Sequence, residues 1–258
     1  MYNIRHNVNL KDSRYLLFVD TETIGTLTNE ESVLPFDIGI KIYDQEKEKV
    51  VIEKSYIIRK FFNNRFIMRS TFSASKYPNY ASKLENDKRY KLYSVNEVAK
   101  DIIRLRKKYN LDIFVAHNAD FDFNALRRLF AEFGIENPFE TMMWLDLMEL
   151  SKVITMWTRY EEFCIMFKDL KDSQKQSRFI TNGGRVRTTA EAIYCFLTQN
   201  PDFREEHIGL DDLDAELLIF KKCIDARKYF EFVSPYIVEV NTPKPRWKDW
   251  QVITKKEK

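Results

Sequence analysis

Cysteine is scarce in this chain: only Cys164, Cys195 and Cys223 occur. They are too widely spread for a zinc site and odd in number, which argues against a disulfide-stapled scaffold and suits a reducing cytosol, with all three as plain core residues. Long apolar runs are missing too. No stretch approaches the ~20 residues needed to span a bilayer, and the first residues lack the basic and apolar regions of a signal peptide, so a soluble, cytoplasmic protein is expected. No internal repeat or low-complexity tract is present. The net charge is only +3 and does not by itself announce a nucleic-acid binder. Apolar material is ample, since 258 residues at 44% hydrophobic can bury one good-sized core. We expect a single domain over 1–258, with its core at about 15–235 and a disordered, Lys-rich tail at about 254–258.

Two carboxylates stand out. In Phe18-Val-Asp-Thr-Glu-Thr23, Asp20 and Glu22 lie two apart at the end of the apolar run Tyr15–Val19. That run has the β-rich, uncharged character of a buried central strand, and alternate strand residues project to one side, so the two acids converge. Like charges so placed repel and raise each other's pKa unless something positive sits between them, as a divalent cation can. A turn with a helix cap would use the same residue types. The segment Val115-Ala-His-Asn-Ala-Asp-Phe-Asp122 reads as strand, turn and helix. His117 and Asn118 are placed to fix the turn through side-chain hydrogen bonds, and Phe121 and Asp122 open a helix with Leu126, Leu129 and Phe130 on its inner face. Asp122 then faces the strand ends, although an N-cap role, which suits Asp120 better, is open to it as well. In Glu206-His-Ile-Gly-Leu-Asp-Asp212, His207 precedes another apolar-periodic helix. An imidazole poised near neutral pH and an aspartate in the first turn can share a cleft, and a surface histidine is the alternative.

Taken in order, Asp-x-Glu, His-Asn-x-x-Phe-Asp and His-x-x-x-x-Asp resemble the histidine subclass of the DEDD superfamily of 3'-to-5' exonucleases, the DnaQ-like and RNase T-like enzymes. The resemblance spans roughly Tyr15 to Ile224. It implies that Asp20, Glu22, Asp122 and Asp212 bind two metal ions, that His207 is the general base with Glu22 beside it in catalysis, and that Thr23, His117, Asn118 and Phe121 meet the substrate. Spacing selects Asp212 from Asp211, Asp212 and Asp214: Asp214 falls on another helix face, and Asp211 is expected to cap the helix. Gly209 stands where many relatives have Ala, and glycine is expected to loosen the loop carrying the base. The segment Arg187-Thr-Thr-Ala-Glu191 is similar to bacteriophage-borne members.

Four carboxylates without a cysteine cluster suit Mg2+ or Mn2+ rather than zinc. Two such ions can flank a scissile phosphate, and the resemblance implies 5'-nucleoside monophosphate products released from the 3' end, with DNA as the preferred substrate in replication or repair and RNA as the other possibility. Charge distribution fits a nucleic-acid partner. Residues 51–109 hold fifteen Lys or Arg against five Asp or Glu, and Arg59–Arg69 interleaves bases with aromatics in a pattern that grips single strands or forms an ordinary solvated edge. A second basic segment, Lys168–Arg187, reads as a mobile loop.

The coarse elements are strands at 15–20, 35–43 and 49–59, a loop-rich arm to about 93, helix 94–109, strand 111–116, helix 121–134 and strand 140–147. Early hairpins followed by parallel additions imply an α/β fold, a ribonuclease H-like mixed five-stranded sheet flanked by helices, with a helical and basic insertion at about 150–206. A ribonuclease H-like endonuclease and a catalytically inactive nucleic-acid-binding module are the other functions these features allow.

Overall fold

The computed structural model describes residues 10, 13–24, 33–70, 72–156, 158–168 and 173–233, with backbone alone at 65, 69, 70, 72, 73, 173, 174 and 227–233. The expected tail at about 254–258 lies outside the described residues. Two compact units emerge, Met1–Asp146 with Glu205–Asp214, and Leu147–Arg204 with Ala215–Lys258.

The first unit is built on a mixed sheet of six strands in the order β4-β3-β2-β1-β5-β6: β1 (Tyr15–Thr23), β2 (Pro35–Asp44), β3 (Lys49–Ile58), β4 (Tyr90–Tyr93), β5 (Ile113–Ala116) and β6 (Met143–Asp146). The sequence suggested five; β4 is the sixth, a four-residue strand at the end of the segment read as loop. Leu16, Leu17, Phe18 and Val19 are all buried, which is why the run is uncharged on both faces. β1, β2 and β3 form an antiparallel meander, and β4, β5 and β6 add in parallel to β3, β1 and β5. The C-terminal ends of five strands and the N-terminal end of β2 therefore share one edge of the sheet.

Between β3 and β4 the expected loop is largely helical: α1 (Arg59–Phe62), α2 (Arg65–Ser70), a 3-10 turn (Phe72–Ser75) and α3 (Tyr77–Asn86). Phe62 stacks on Tyr77, with ring centroids 4.9 Å apart, and packs edge-on against Tyr80, fixing the start of α3 on the core. α4 (Val95–Tyr109) begins with a full capping box between Ser94 and Glu97 and stops at Asn110 in the left-handed conformation. α5 (Ala119–Glu132) buries Phe123, Leu126, Leu129 and Phe130, the face its spacing indicated.

The second unit is helical, with α6 (Leu147–Leu150), α7 (Lys152–Thr155), α8 (Tyr160–Ile165), α9 (Ser173–Phe179), α10 (Ala190–Thr198) and the portion of α11 (Gly209–Val233) from Ala215 onward. Phe163 meets Phe167, Phe179 and Phe196 at 5.3–5.6 Å, and Cys164, Cys195 and Cys223 are buried thiols. The segment Lys168–Arg187, expected to be mobile, contains α9 and an antiparallel bridge between Ile180 and Val186. Arg178 organises it, pairing with Glu191 and donating to the carbonyls of Pro201 and Phe203. No helix among the described residues is long and apolar enough to cross a membrane.

Candidate active site

The shared sheet edge collects the acids. On β1, Asp20 lies opposite Gly39 and Glu22 opposite Asp37, so directly facing pairs bring a third carboxylate to the face carrying Asp20 and Glu22. Asp37 is fully buried and satisfied: its oxygens accept from Ser55 Oγ at 2.6 Å, Tyr80 Oη at 2.6 Å and the Gly209 N–H at 3.2 Å. Those donors resist the desolvation that pushes its carboxyl up to about 6.

The segment 207–212 is clamped onto this face. Ile208 and Leu210 are buried in the core of the first unit, while Gly209 packs directly on β2. A Cβ on Gly209 would stand 2.9 Å from the Asp20 carbonyl oxygen and 3.1 Å from the Gly39 nitrogen, and one on Gly39 would stand 2.3 Å from Gly209. Glycine at 209 thus permits close backbone approach and holds the loop tightly, the reverse of the loosening expected from the sequence. His207 adopts φ 52, a left-handed conformation, and is exposed. Non-glycine residues take that region infrequently, and the residue that follows, Ile208, is anchored in the core.

Glu22, His207 and Asp212 converge, each offering a ligand atom within 4.8 Å of the others. Asp212 accepts from the Ile208 N–H at 2.9 Å and so closes the helix start itself. Asp211, expected as the cap, instead pairs with Lys83 and accepts from the Tyr90 hydroxyl, and Asp214 reaches Lys41, away from the convergence, as its helix position indicated.

Asp122 arrives from the other side of β1. Past the end of β5, the Thr21 N–H donates to Asp122 Oδ1 at 3.0 Å, and the Thr21 hydroxyl does so at 2.7 Å. Asp122 is therefore buried next to the strand between Asp20 and Glu22, and it is not one of the 4.8 Å trio. At the turn before it, Asn118 is held through its backbone and makes no side-chain cap. Asn118 takes φ 66 and ψ 55 without a side-chain cap, its N–H donates to Asp146 Oδ1 at 3.0 Å, and Asp120 sits within the first turn of α5 instead of capping it. His117 and Phe121 are half-buried on either side of this turn, and Thr23 ends β1 at a register shift.

Burial and crowding push the acids up. Glu22 rises to about 8, mainly through desolvation with help from Asp212 and Asp37; Asp122 rises to about 7 through burial with Asp146 nearby; and Asp212 rises to about 7 through burial with Asp211 nearby. One cation opposes this. Lys76 Nζ lies 2.8 Å from Glu22 Oε2, with its side chain only 7% exposed. Lys76, Asp37 and Tyr80 are participants that motif reasoning missed. The only sequence signal for Asp37 was a carboxylate interrupting an apolar strand, and Lys76 had none beyond its place in a basic stretch.

No protein-family model and no curated protein sequence matches the chain. Solved structures do match. The nuclease domain of 3'hExo, a DEDDh family member, bound to rAMP, superposes with a TM-score of 0.51 at 14% identity over 83% of this chain and 92% of that one. This chain has the fold of exonuclease domains. A 3'-exonuclease that recognises the 3' end of a histone mRNA stem-loop gives a TM-score of 0.52 at 13% identity over 83% and 82% of the two chains. Escherichia coli Exonuclease I in complex with a dT13 oligonucleotide also gives 0.52 at 13% identity, over 85% of this chain and 43% of that one.

Proposed function

We propose that this protein is a metal-dependent 3'-to-5' exonuclease that hydrolyses phosphodiester bonds at nucleic-acid 3' ends, with DNA as its substrate. The observation that carries the proposal is the convergence of Glu22, His207 and Asp212 at a sheet edge where Asp20 and Asp122 flank the same strand. These residues come from three separate segments of the chain, one from each of the three motifs.

The donor set fits hard divalent cations. It is rich in carboxylate oxygen, lacks thiolates, and has acids pushed up by burial and mutual repulsion, a state that positive charge relieves. Asp20, Glu22, Asp122 and Asp212 would hold Mg2+ or Mn2+, and such ions supply Lewis acidity toward phosphate and lower the pKa of water. The protein's own contribution is placement and proton transfer. His207, at the exposed rim of the buried acids, accepts the proton of the attacking water, and its left-handed backbone is held by Ile208 and Leu210 in the core. The clamp of Gly209 on Asp37 and Gly39 keeps the base in register with Glu22. Thr23, His117, Asn118 and Phe121 border the same edge and are the residues placed to meet the terminal nucleotide.

A nucleic-acid partner is supported by the rest of this edge. A cavity of about 800 Å3 at the C-terminal ends of β3 and β4 is lined by Arg59, Lys60, Asn63, Asn64 and Ser94, with Phe133 at its wall. Within Arg59–Arg69, Phe61 and Phe62 are core residues and cannot stack on bases, whereas Phe66 is 83% exposed. Purified protein incubated with Mn2+ and end-labelled single-stranded and duplex DNA and RNA tests the proposal. Stepwise shortening from the 3' end is expected. Internal cuts would indicate an endonuclease, and absence of cleavage with retained binding would indicate an inactive binding module.

A further inference from the structure

α3 presents a stripe of donors to the acids. Lys76, at its N-terminal boundary, meets Glu22; Tyr80, four residues on, meets Asp37; and Lys83, seven on, meets Asp211. Positions i, i+4 and i+7 share one helix face, so one element delivers three contacts to three carboxylates. Tyr80 is fully buried and Tyr77 stacks on Phe62, which anchors the helix start and leaves Lys76 little freedom to swing into solvent. The Lys76 side chain is 7% exposed and that of Glu22 is 14% exposed, so the pair is largely removed from water. A buried ammonium without acids around it would be strongly destabilising, and so would a buried cluster of acids without a cation. Asp212, within the trio that includes Glu22, is close enough for the ammonium to oppose its burial.

We propose that Lys76 is a built-in cation that occupies one of the two cation positions of this site, the one beside Glu22, so that the protein without nucleic acid takes up a single divalent ion. This rests on the metal-dependent reading above. Lys76 then has two effects: it keeps the carboxylates assembled before metal arrives, and it competes with the second ion, whose entry requires the ammonium to withdraw. Lys76 is a positioning residue in this scheme, touching a metal-binding carboxylate rather than the reacting atoms.

The test is metal counting on the full chain. Metal-free protein is titrated with Mn2+ in the absence of nucleic acid, and free Mn2+ is followed by electron paramagnetic resonance. Wild type is expected to bind one ion and K76M two, with the second site tightened about tenfold or more relative to wild type. K76R, which keeps a cation, should bind one. Thermal melts give an independent readout: K76M should lose stability in chelator and recover it with Mn2+, whereas loss of ordinary packing would persist in both. Two ions in wild type, or one ion in both wild type and K76M, would overturn the role of Lys76 while leaving the exonuclease reading standing. Zero ions in wild type would overturn both. If K76M fails to fold, the wild-type count still decides, since two ions refute the proposal and one ion with K76R matching it supports it.

Discussion

Asp212→Asn isolates the electrostatic cost of assembling the acids. In the folded protein Asp212 is raised from an ordinary 3.8 to about 7, mainly by burial, so the native state holds a proton that the unfolded chain has already released between those values. The unfolded state binds fewer protons across this window, so the stability of metal-free protein falls as pH rises from about 4 to about 7 and stays reduced above it. At roughly 1.4 kcal/mol for each tenfold in proton affinity, the full effect is about 4 kcal/mol, and relaxation around the ionised group brings the expected value nearer ~2 kcal/mol. Asn copies the protonated acid in shape, and its carbonyl can still accept from the Ile208 N–H, so the helix start is preserved. In chelator at pH 8, Asp212→Asn should therefore be more stable than wild type, with the melting temperature raised by several degrees, and the gap should close toward pH 4. Added Mn2+ should stabilise both proteins, since the single ion taken up without nucleic acid avoids the position that Lys76 fills. Calorimetry at four pH values, with chelator and with Mn2+, reads all of this. A variant less stable than wild type in chelator at pH 8, or a gap independent of pH, would refute the account of these acids as a cluster that costs stability until a cation arrives.

His207→Ala should slow hydrolysis by roughly 100- to 10,000-fold with the number of bound Mn2+ ions unchanged, as single-turnover kinetics and metal counting together would show; loss of an ion would make the imidazole a ligand rather than the base. Gly209→Ala forces a Cβ to 2.9 Å from the Asp20 carbonyl and should cost about 1–3 kcal/mol in chemical denaturation and lower kcat more than KM, while unchanged stability would mean the loop is not clamped as described. Phe66→Ala should leave the melting temperature alone, since the ring is 83% exposed, and weaken binding to single-stranded DNA by about 1–3 kcal/mol in fluorescence anisotropy if the ring stacks on a base; unchanged affinity would remove that contact.

What could be read from the sequence followed periodicity and residue type. β1 was legible because four consecutive buried apolar residues leave few other options, and α5 because Leu126, Leu129 and Phe130 recur at helical spacing. Those two elements carry Asp20, Glu22 and Asp122, so three of the candidate acids could be placed from pattern alone. β4 was not legible: a strand of four residues, two of them half-buried and one exposed, has too short a period to count. α3 escaped because its apolar stripe is thin: only Tyr77, Tyr80 and Leu84 face the core, and the polar groups of Lys76, Tyr80 and Lys83 meet partners, Glu22, Asp37 and Asp211, that lie far away in sequence. Gly209 was misread for a related reason, because its value depends on Gly39 across the sheet, a contact that neither position reveals by itself.

The two sides of β1 hold their acids by different means, and the difference bears on how the site can work. On the β2 side the holding groups are backbone and buried rings: Asp37 is tied to Gly209, Ser55 and Tyr80, and Gly209 rests on Gly39 with no room for another atom. Small changes there have nowhere to relax, so position is conserved at the expense of adaptability. On the β5 side Asp122 is held through one of its oxygens by Thr21, with both donors converging on Oδ1. His207 belongs to the rigid side, through Ile208, Gly209 and Leu210. For the proposed hydrolysis, proton transfer falls off within tenths of an ångström whereas ionic attraction does not, so rigidity at His207 matters more than rigidity at Asp122.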